Sequence, residues 1–585
     1  MSRQTVLFRM ASVMFPIVIA SAQSGANVYV QHNLVSDIPG FADITDPNLV
    51  DPWGMSFSSG SPLWISNHGK GNTTLYNAGA SSGIAITPLV VTIPPGAGDP
   101  TPSTPTGQVQ NNTGGFLLAN GKAASFIFAT EDGTVSAWNG TTATVMVDYS
   151  GAGTVYKGMA IATAAAGPLL YVANFSYGTI DVFNTSFKQT SVPGGFTDPN
   201  LPPGFVPFNI WNVNGSLYVM YAKQDPTKKL DVAGLGNGVV DIFDLNGNLL
   251  QRLTAGGPLN SPWGVAIAPA NWGAFGGAVL VGNFGNGWIN AFDPKTGNLL
   301  GALEDSTGTP IAIQGLWSLN FGNGASGGDK NFLYFTAGIS PGGVQHGLLG
   351  SLAPPAQVTG VLSGASLATG PISPGEILAL TGITVGPRPA VSAAATVTTT
   401  LGGTMVTING TPAPILYTQA DQTNVIVPWS LTGTSANIVV TSGPITVSST
   451  VPIAATSPGL FTANASGTGQ TITLNQDGTL NSASNPAAAG SVLVLYATGL
   501  GQTDPPGQDG VINSAKVIAE AVATVTVTIG GKTAQVIYAG AAPGAVAGVM
   551  QVEAVVPAGA GTGAVPVVVT AGNVNSQAGA TVSLK

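Results

Sequence analysis

Short alternating runs of apolar and polar residues fill the chain, broken every few positions by Gly, Asn, Pro or Asp. Period-two alternation between such breaks predicts half-buried strands joined by tight turns. One pattern recurs: a β-branched residue or Leu, any residue, a small or apolar residue, an aromatic, then Asn or Asp. It is shortened at Thr74-Leu75-Tyr76-Asn77. It is complete at Val135 to Trp138-Asn139, Ile180 to Phe183-Asn184, Val240 to Phe243-Asp244 and Ile289 to Phe292-Asp293. The aromatics are spaced by roughly 45–60 residues, the period of propeller blades. Each copy follows a second strand, such as Leu63 to Asn67, Leu170 to Asn174 or Val279 to Asn283. Before that comes a first strand opening on Trp53-Gly54, Lys157-Gly158, Trp263-Gly264 or Leu316-Trp317. After each copy come a turn and a fourth strand, such as Leu249 to Leu253, and four strands per unit is one blade.

First strands are expected near Trp53, Phe116, Gly158, Phe208, Trp263 and Leu316, which makes six blades. The sixth lacks an outer strand before Pro354. The orphan strand Val28 to Val35 is expected to supply it, because ring closure removes an exposed sheet edge. The repeated aromatics are expected to pack between blades.

From about Ala353 the sequence turns to Ala, Val, Thr, Gly and Pro, and a second repeat begins. Val406-Thr407-Ile408-Asn409-Gly410 aligns with Val527-Thr528-Ile529-Gly530-Gly531. Asn-Gly and Gly-Gly between strands signal two-residue hairpins. Asn424 to Pro428 matches Glu553 to Pro557, and Ile438 to Thr441 matches Val567 to Thr570. Two copies of such short strands predict two sandwiches of the immunoglobulin type. The expected fold is all-β: a six-bladed β-propeller at 27–352, then Ig-like β-sandwich domains at 353–455 and 456–585.

Composition narrows the function. Charged residues are only 7% of the 585, with net charge −9. The 16 Lys and Arg form no basic cluster, so nucleic acid is not expected as a partner. Absence of Cys excludes disulfides, thiolate metal sites and a cysteine nucleophile. Arg3 and Arg9 precede an apolar stretch, Met10 to Ala20, too short to span a bilayer. Ala20-Ser21-Ala22 is a small-x-small cleavage pattern, so residues 1–22 read as a signal peptide cut after Ala22. The mature chain is expected to be secreted, without a transmembrane segment: in a periplasm, on an outer surface or in the medium.

Two resemblances add to this. Tyr29 to Asp37, Asp51-Pro52-Trp53-Gly54, Tyr221 to Asp225 and Asp231 to Gly234 resemble an uncharacterised family of secreted bacterial propeller proteins. That resemblance implies export and a ring related to NHL-type six-bladed propellers, and no reaction. Some members carry a C-terminal sorting signal, and no such tail is expected here. Ser457 to Phe461, Ala497 to Gly501, and Tyr538-Ala539-Gly540 through Pro543-Gly544 to Gln551-Val552 resemble the tandem C-terminal domain of acidobacterial exported proteins. It implies an accessory module.

Candidate chemistry gathers on the propeller face formed by loops between second and third strands and loops entering first strands. His68, Lys70, Glu131, Asp132 and Asn174 are expected there, with Lys223, Asp225, Asn283 and His346, rimmed by Trp53, Trp263 and Trp317. Glu131, Asp132, Asn174 and Asn283 offer hard oxygen ligands suited to calcium. The blander reading is that the equivalent residues Asn67, Asn174 and Asn283 serve their turns. No H-E-x-x-H motif is present, and no catalytic residue is assigned. The expected function is a secreted, non-catalytic binding or adhesion protein for an extracellular ligand, glycan or protein. The alternative is a calcium-assisted hydrolase or lactonase on the same face.

Overall fold

The computed structural model describes residues 27–585 apart from 81–82, 100, 141, 271, 388–389, 395 and 443–444. The expected signal peptide and its cleavage site at Ala22 lie outside the described residues. The described chain forms two compact units, divided between Pro355 and Ala356. No described helix is long and apolar enough to cross a membrane.

In the first unit, sheet 1 runs Pro52–Ser56, Leu63–Asn67, Asn72–Ala80 and Gly83–Thr92, each strand antiparallel to the next. Sheet 2 runs Pro105–Gln110, Phe126–Thr130, Thr134–Trp138 and Thr144–Asp148. Sheet 3 holds Tyr156–Ala164, Gly167–Asn174, Thr179–Phe183 and Gln189–Thr190. Sheet 4 holds Phe205–Val213, Ser216–Lys223, Val239–Phe243 and Leu249–Ala255. Sheet 5 holds Pro262–Ile267, Val279–Asn283, Ile289–Phe292 and Leu299–Ala302. Sheet 6 begins with Leu316–Phe321, Leu333–Ala337 and Leu348–Ala353. Val30–Ser36 then pairs antiparallel with Leu348–Ala353, from Val30 opposite Ala353 to Ser36 opposite Leu348. The first strands of successive sheets are neighbours, and that of sheet 6 neighbours that of sheet 1. This ring is a β-propeller, and a strand from the start of the chain closes it.

The recurrent aromatics seal neighbouring sheets together. Tyr76 of sheet 1 packs with Leu34, Val35, Tyr334 and Leu349 of sheet 6. Phe183 packs on sheet 2, Phe243 on sheet 3 and Phe292 on sheet 4. Phe116 does not open a first strand. It sits in a loop at φ 61° and packs against Phe187. The first strand of sheet 2 is Pro105–Gln110 instead. Its sequence, Pro-Thr-Gly-Gln-Val-Gln, lacks the apolar alternation of its counterparts because its buried polar side chains are hydrogen-bonded to the neighbouring sheets, Thr106 donating to the Tyr156 carbonyl at 2.8 Å and Gln108 accepting from the Ser66 hydroxyl at 2.9 Å.

Every first strand has a register shift near its start: 52/55, 105/108, 156/158, 207/209, 262/264 and 316/319. Such bulges bend a strand and re-aim its side chains. Glycine follows the re-aimed residue in four of the sheets because adjacent first strands come very close. A Cβ on Gly54 would overlap the Thr106 carbonyl, and one on Gly158 would overlap the Asn209 side chain.

The second unit contains the repeat. Thr404–Ile408 pairs with Ser435–Ser442, Val406 facing Val440 and Ile408 facing Ile438. Val525–Ile529 pairs with Gly563–Ala571 in the same way, Val527 facing Val569 and Ile529 facing Val567. Asn409-Gly410 and Gly530-Gly531 are two-residue hairpin turns, with positive φ at both positions of each. One core forms between the sheets around Leu380, Val406, Val425 and Ile438. A second forms around Leu495, Val527, Val552 and Val567.

At the seam between these two halves a carboxyl is buried. Glu376 is 1% exposed. Its oxygens accept from the Ser373 backbone N–H at 2.9 Å and the Ser457 hydroxyl at 3.3 Å. The Ile377 N–H beside it donates to Thr498 Oγ1 at 2.8 Å. Burial pushes the Glu376 carboxyl up to about 8, against partial compensation from these donors.

Candidate functional site

The bulges place six equivalent residues at one level of the ring axis: Trp53, Thr106, Lys157, Phe208, Trp263 and Trp317. Opposite the residue before each stand Asn67, Thr130, Asn174, Tyr221, Asn283 and Ala337. The residues that follow these form a second level: His68, Glu131, Phe175, Ala222, Phe284 and Gly338. Sheets 4 to 6 thus contribute an apolar arc, and sheets 1 to 3 contribute the charges.

The apolar arc is a continuous ring stack. Phe284 stacks on Trp317 at 4.1 Å, Trp317 on Trp53 at 3.6 Å, and Trp53 on His68 at 4.9 Å. Trp263 meets Trp317 edge-on at 5.7 Å. The three tryptophans were expected to rim the face. They are buried instead, each 5% exposed or less, because the bulges turn them inward to fill the axis. The indole N–H groups of Trp53 and Trp317 find no acceptor among protein groups. Trp263 donates to the Lys157 carbonyl at 3.2 Å.

The charged arc is a closed network. His68 lies between two carboxylates, Nδ1 3.0 Å from Asp51 Oδ2 and Nε2 2.8 Å from Glu131 Oε2. The other Glu131 oxygen takes the Lys157 ammonium. Lys157 is 2% exposed and lies 5.2 Å from the Trp53 ring centroid and 5.5 Å from that of Phe175. Burial alone would lower the basicity of His68, but Asp51 and Glu131 outweigh it and raise the imidazole to about 9. Burial alone would raise Glu131, but His68 and Lys157 hold it at about 2. Asp51 sits at φ 47°, an uncommon conformation for a residue with a side chain. It also accepts from Gln345 Nε2 at 2.5 Å. Each ionisable group here is therefore held by an opposite charge.

The remaining expected residues scatter. Asp132 accepts from the hydroxyls of Ser103 and Thr104 at 2.7 and 2.6 Å and ties its turn to the segment entering the first strand of its own sheet. Asn174 donates to Asp181 at 2.9 Å and Asn283 donates to Asn290 at 2.8 Å. Asn67 likewise reaches Thr74 at 3.0 Å. These amides pin the second strand to a residue seven positions on in the third. None of them has a positive φ, yet Asn174 also serves its turn, its Oδ1 accepting from the Ser176 hydroxyl at 3.1 Å and the Tyr177 N–H at 3.4 Å. The oxygens of the four residues offered for calcium are each engaged by protein donors: Glu131 by His68 and Lys157, Asp132 by Ser103 and Thr104, Asn174 by the Ser176 hydroxyl and Asn283 by the Asn260 N–H. No cluster of three or more His, Asp or Glu suited to a metal occurs among the described residues. His346 pairs with Asp37 at 2.7 Å. Asp225 accepts from the Thr227 hydroxyl and the N–H groups of Lys229 and Leu230, which closes its own loop. Lys70 and Lys223 are exposed.

Sequence reasoning had not placed Asp51 or Lys157 in the site. A lysine in the slot that holds tryptophan in three other sheets was the available signal, since a buried ammonium needs a partner. Gly79-Ala80-Ser81-Ser82-Gly83 fits the G-x-S-x-G spacing of a nucleophile elbow. The strand ending at Ala80 is antiparallel to the one beginning at Gly83, whereas the elbow needs a strand followed by a helix.

The fold and site define a propeller with an ion-paired, aromatic-backed axial face. Two uncharacterised proteins of Acanthamoeba polyphaga mimivirus are similar to the chain, at 34% and 32% identity over 333 residues. The matches cover 54% of this chain, and 78% and 84% of the viral proteins. The chain belongs to the family of these mimivirus proteins. No protein-family model matches it. Among solved structures, it is similar to an alpha-L-arabinofuranosidase of Fusarium graminearum at TM-score 0.37 and 12% identity, over 56% of this chain and 98% of that one. It is similar to streptogramin B lyase at TM-score 0.29 and 13% identity, over 55% and 96%.

Proposed function

We propose that the protein is a secreted, non-catalytic binding protein. In this reading the ring is a six-bladed, NHL-like propeller, and the C-terminal sandwiches are Ig-like spacer or docking modules. The ligand sits on the face bearing His68, Glu131 and Phe284. One observation carries the proposal: the ionisable groups of that face are consumed in mutual ion pairs. A general base must be free near neutral pH, and His68 is held as an imidazolium. The oxygens offered for calcium already accept from protein donors, which supports this reading over the calcium-assisted hydrolase or lactonase. The orphaned indole N–H groups of Trp53 and Trp317 favour a ligand that offers hydrogen-bond acceptors, since buried donors are nearly always paired.

A thermal-shift screen of the full chain against extracellular glycans and peptides tests this, because a ligand of the folded state raises Tm. The expected result is a Tm rise that survives chelation, with the ligand recovered unchanged and the rise reduced in Phe284→Ala. Stoichiometric calcium lost in Asn174→Ala, or conversion of the ligand, contradicts the proposal.

A further inference from the structure

Beyond the tryptophan plug, the ring axis opens again on the opposite face. A cavity of about 240 Å³ lies there, walled by residues from five of the six first strands. Ser56, Val109, Ala160, Trp211 and Asn320 stand three residues beyond the axial slots, so the same bulged register that builds the plug builds this wall. None of the residues lining it is charged.

Three features give the cavity a chemistry. Trp211 is only half-buried and offers an aromatic surface. Gln110, Asn112 and Asn212 bring amide groups to the lining. Asn212 is held in place by donating to the Ile161 carbonyl at 2.8 Å. The third is an orphan. Ser56 is 8% exposed, yet its hydroxyl finds no hydrogen-bond partner in the protein. A buried hydroxyl left unpaired is costly, and this one borders the cavity.

We propose that this cavity is a second binding site, for a neutral sugar ring. A pyranose places its C–H face against an aromatic plane and its hydroxyls against amides and hydroxyls, which matches this lining. An anionic or cationic ligand finds no counter-charge. Drug-sized ligands occupy roughly 300–1,000 Å³, so the smaller volume fits one ring rather than a chain of them.

Isothermal titration of the full chain with D-glucose, D-galactose and D-xylose tests the site. The expected result is saturable heat with at least one sugar, weakened about tenfold or more in Trp211→Ala, in line with the weight of buried aromatic anchors. Gln110→Ala, a gentler change on a partly exposed residue, weakens it too. Phe284→Ala, on the opposite face, leaves it unchanged. No saturable heat at about 10 mM sugar, where even millimolar affinity registers, overturns the proposal. So does binding that survives Trp211→Ala and Gln110→Ala but is lost in Phe284→Ala. Failure here leaves the proposed function standing, since that rests on the other mouth of the axis.

Discussion

Glu131→Gln is expected to destabilise the propeller by about 3 kcal/mol, measured by denaturant unfolding of the full chain. The substitution leaves the Lys157 ammonium buried against Trp53 and Phe175 without the carboxylate that pairs with it directly. Breaking a buried pair by removing one partner costs about 3–5 kcal/mol. The lower figure applies because the Glu131 side chain keeps 24% of its exposure. Adding Lys157→Met should recover most of the loss, since the apolar replacement no longer needs a counter-ion. A Glu131→Gln protein as stable as the wild type would show that the network carries no weight.

The second large effect is a pH dependence set by Glu376. Unfolded, this carboxyl releases its proton near 4.5; folded, it keeps it to about 8. The folded state therefore binds more protons between those values, and stability falls as pH rises. At about 1.4 kcal/mol for each pH unit crossed, the C-terminal unit should lose several kcal/mol between pH 4.5 and 8 and little more above. Glu376→Gln keeps the hydrogen-bonding shape without the charge, and should flatten that slope. An unchanged slope in the variant would assign the pH dependence elsewhere.

Much of the fold was legible because its signals are local. The aromatic before Asn or Asp marked the third strands, and Asn409-Gly410 and Gly530-Gly531 marked hairpins that form with both residues at positive φ. The strand near Val30 could be assigned to ring closure because the sixth unit lacked an outer strand. Thr106-Gly107 was missed for a physical reason. Its buried Thr106 and Gln108 are satisfied by hydrogen bonds to the neighbouring sheets, so the strand need not alternate and its sequence reads as a loop.

The site was legible only in part. His68 and Glu131, drawn from equivalent loops, do come together. Their partners are Asp51, just ahead of one first strand, and Lys157, inside another, and only the bulge register reveals that these point at the same place. Trp53, Trp263 and Trp317 look like a binding rim in one dimension, but the same bulges turn them into a plug. Asn174 and Asn283 look like ligands, yet their amides cross to Asp181 and Asn290.

His68 is held as a cation between two carboxylates and is no free base. Its stabilising effect should be full below pH 6.5 and lost as pH rises through about 9. The partner effect of Glu131 should be full above 4.5 and lost as pH falls through about 2. An NMR pH titration of the imidazole resonances tests this directly, with His68→Gln to assign the signal among three histidines. The His68 resonance is expected to hold its protonated position through neutral pH and to move only near 9. A midpoint at or below the ordinary value of about 6.5 would contradict it and return His68 to the candidates for catalysis.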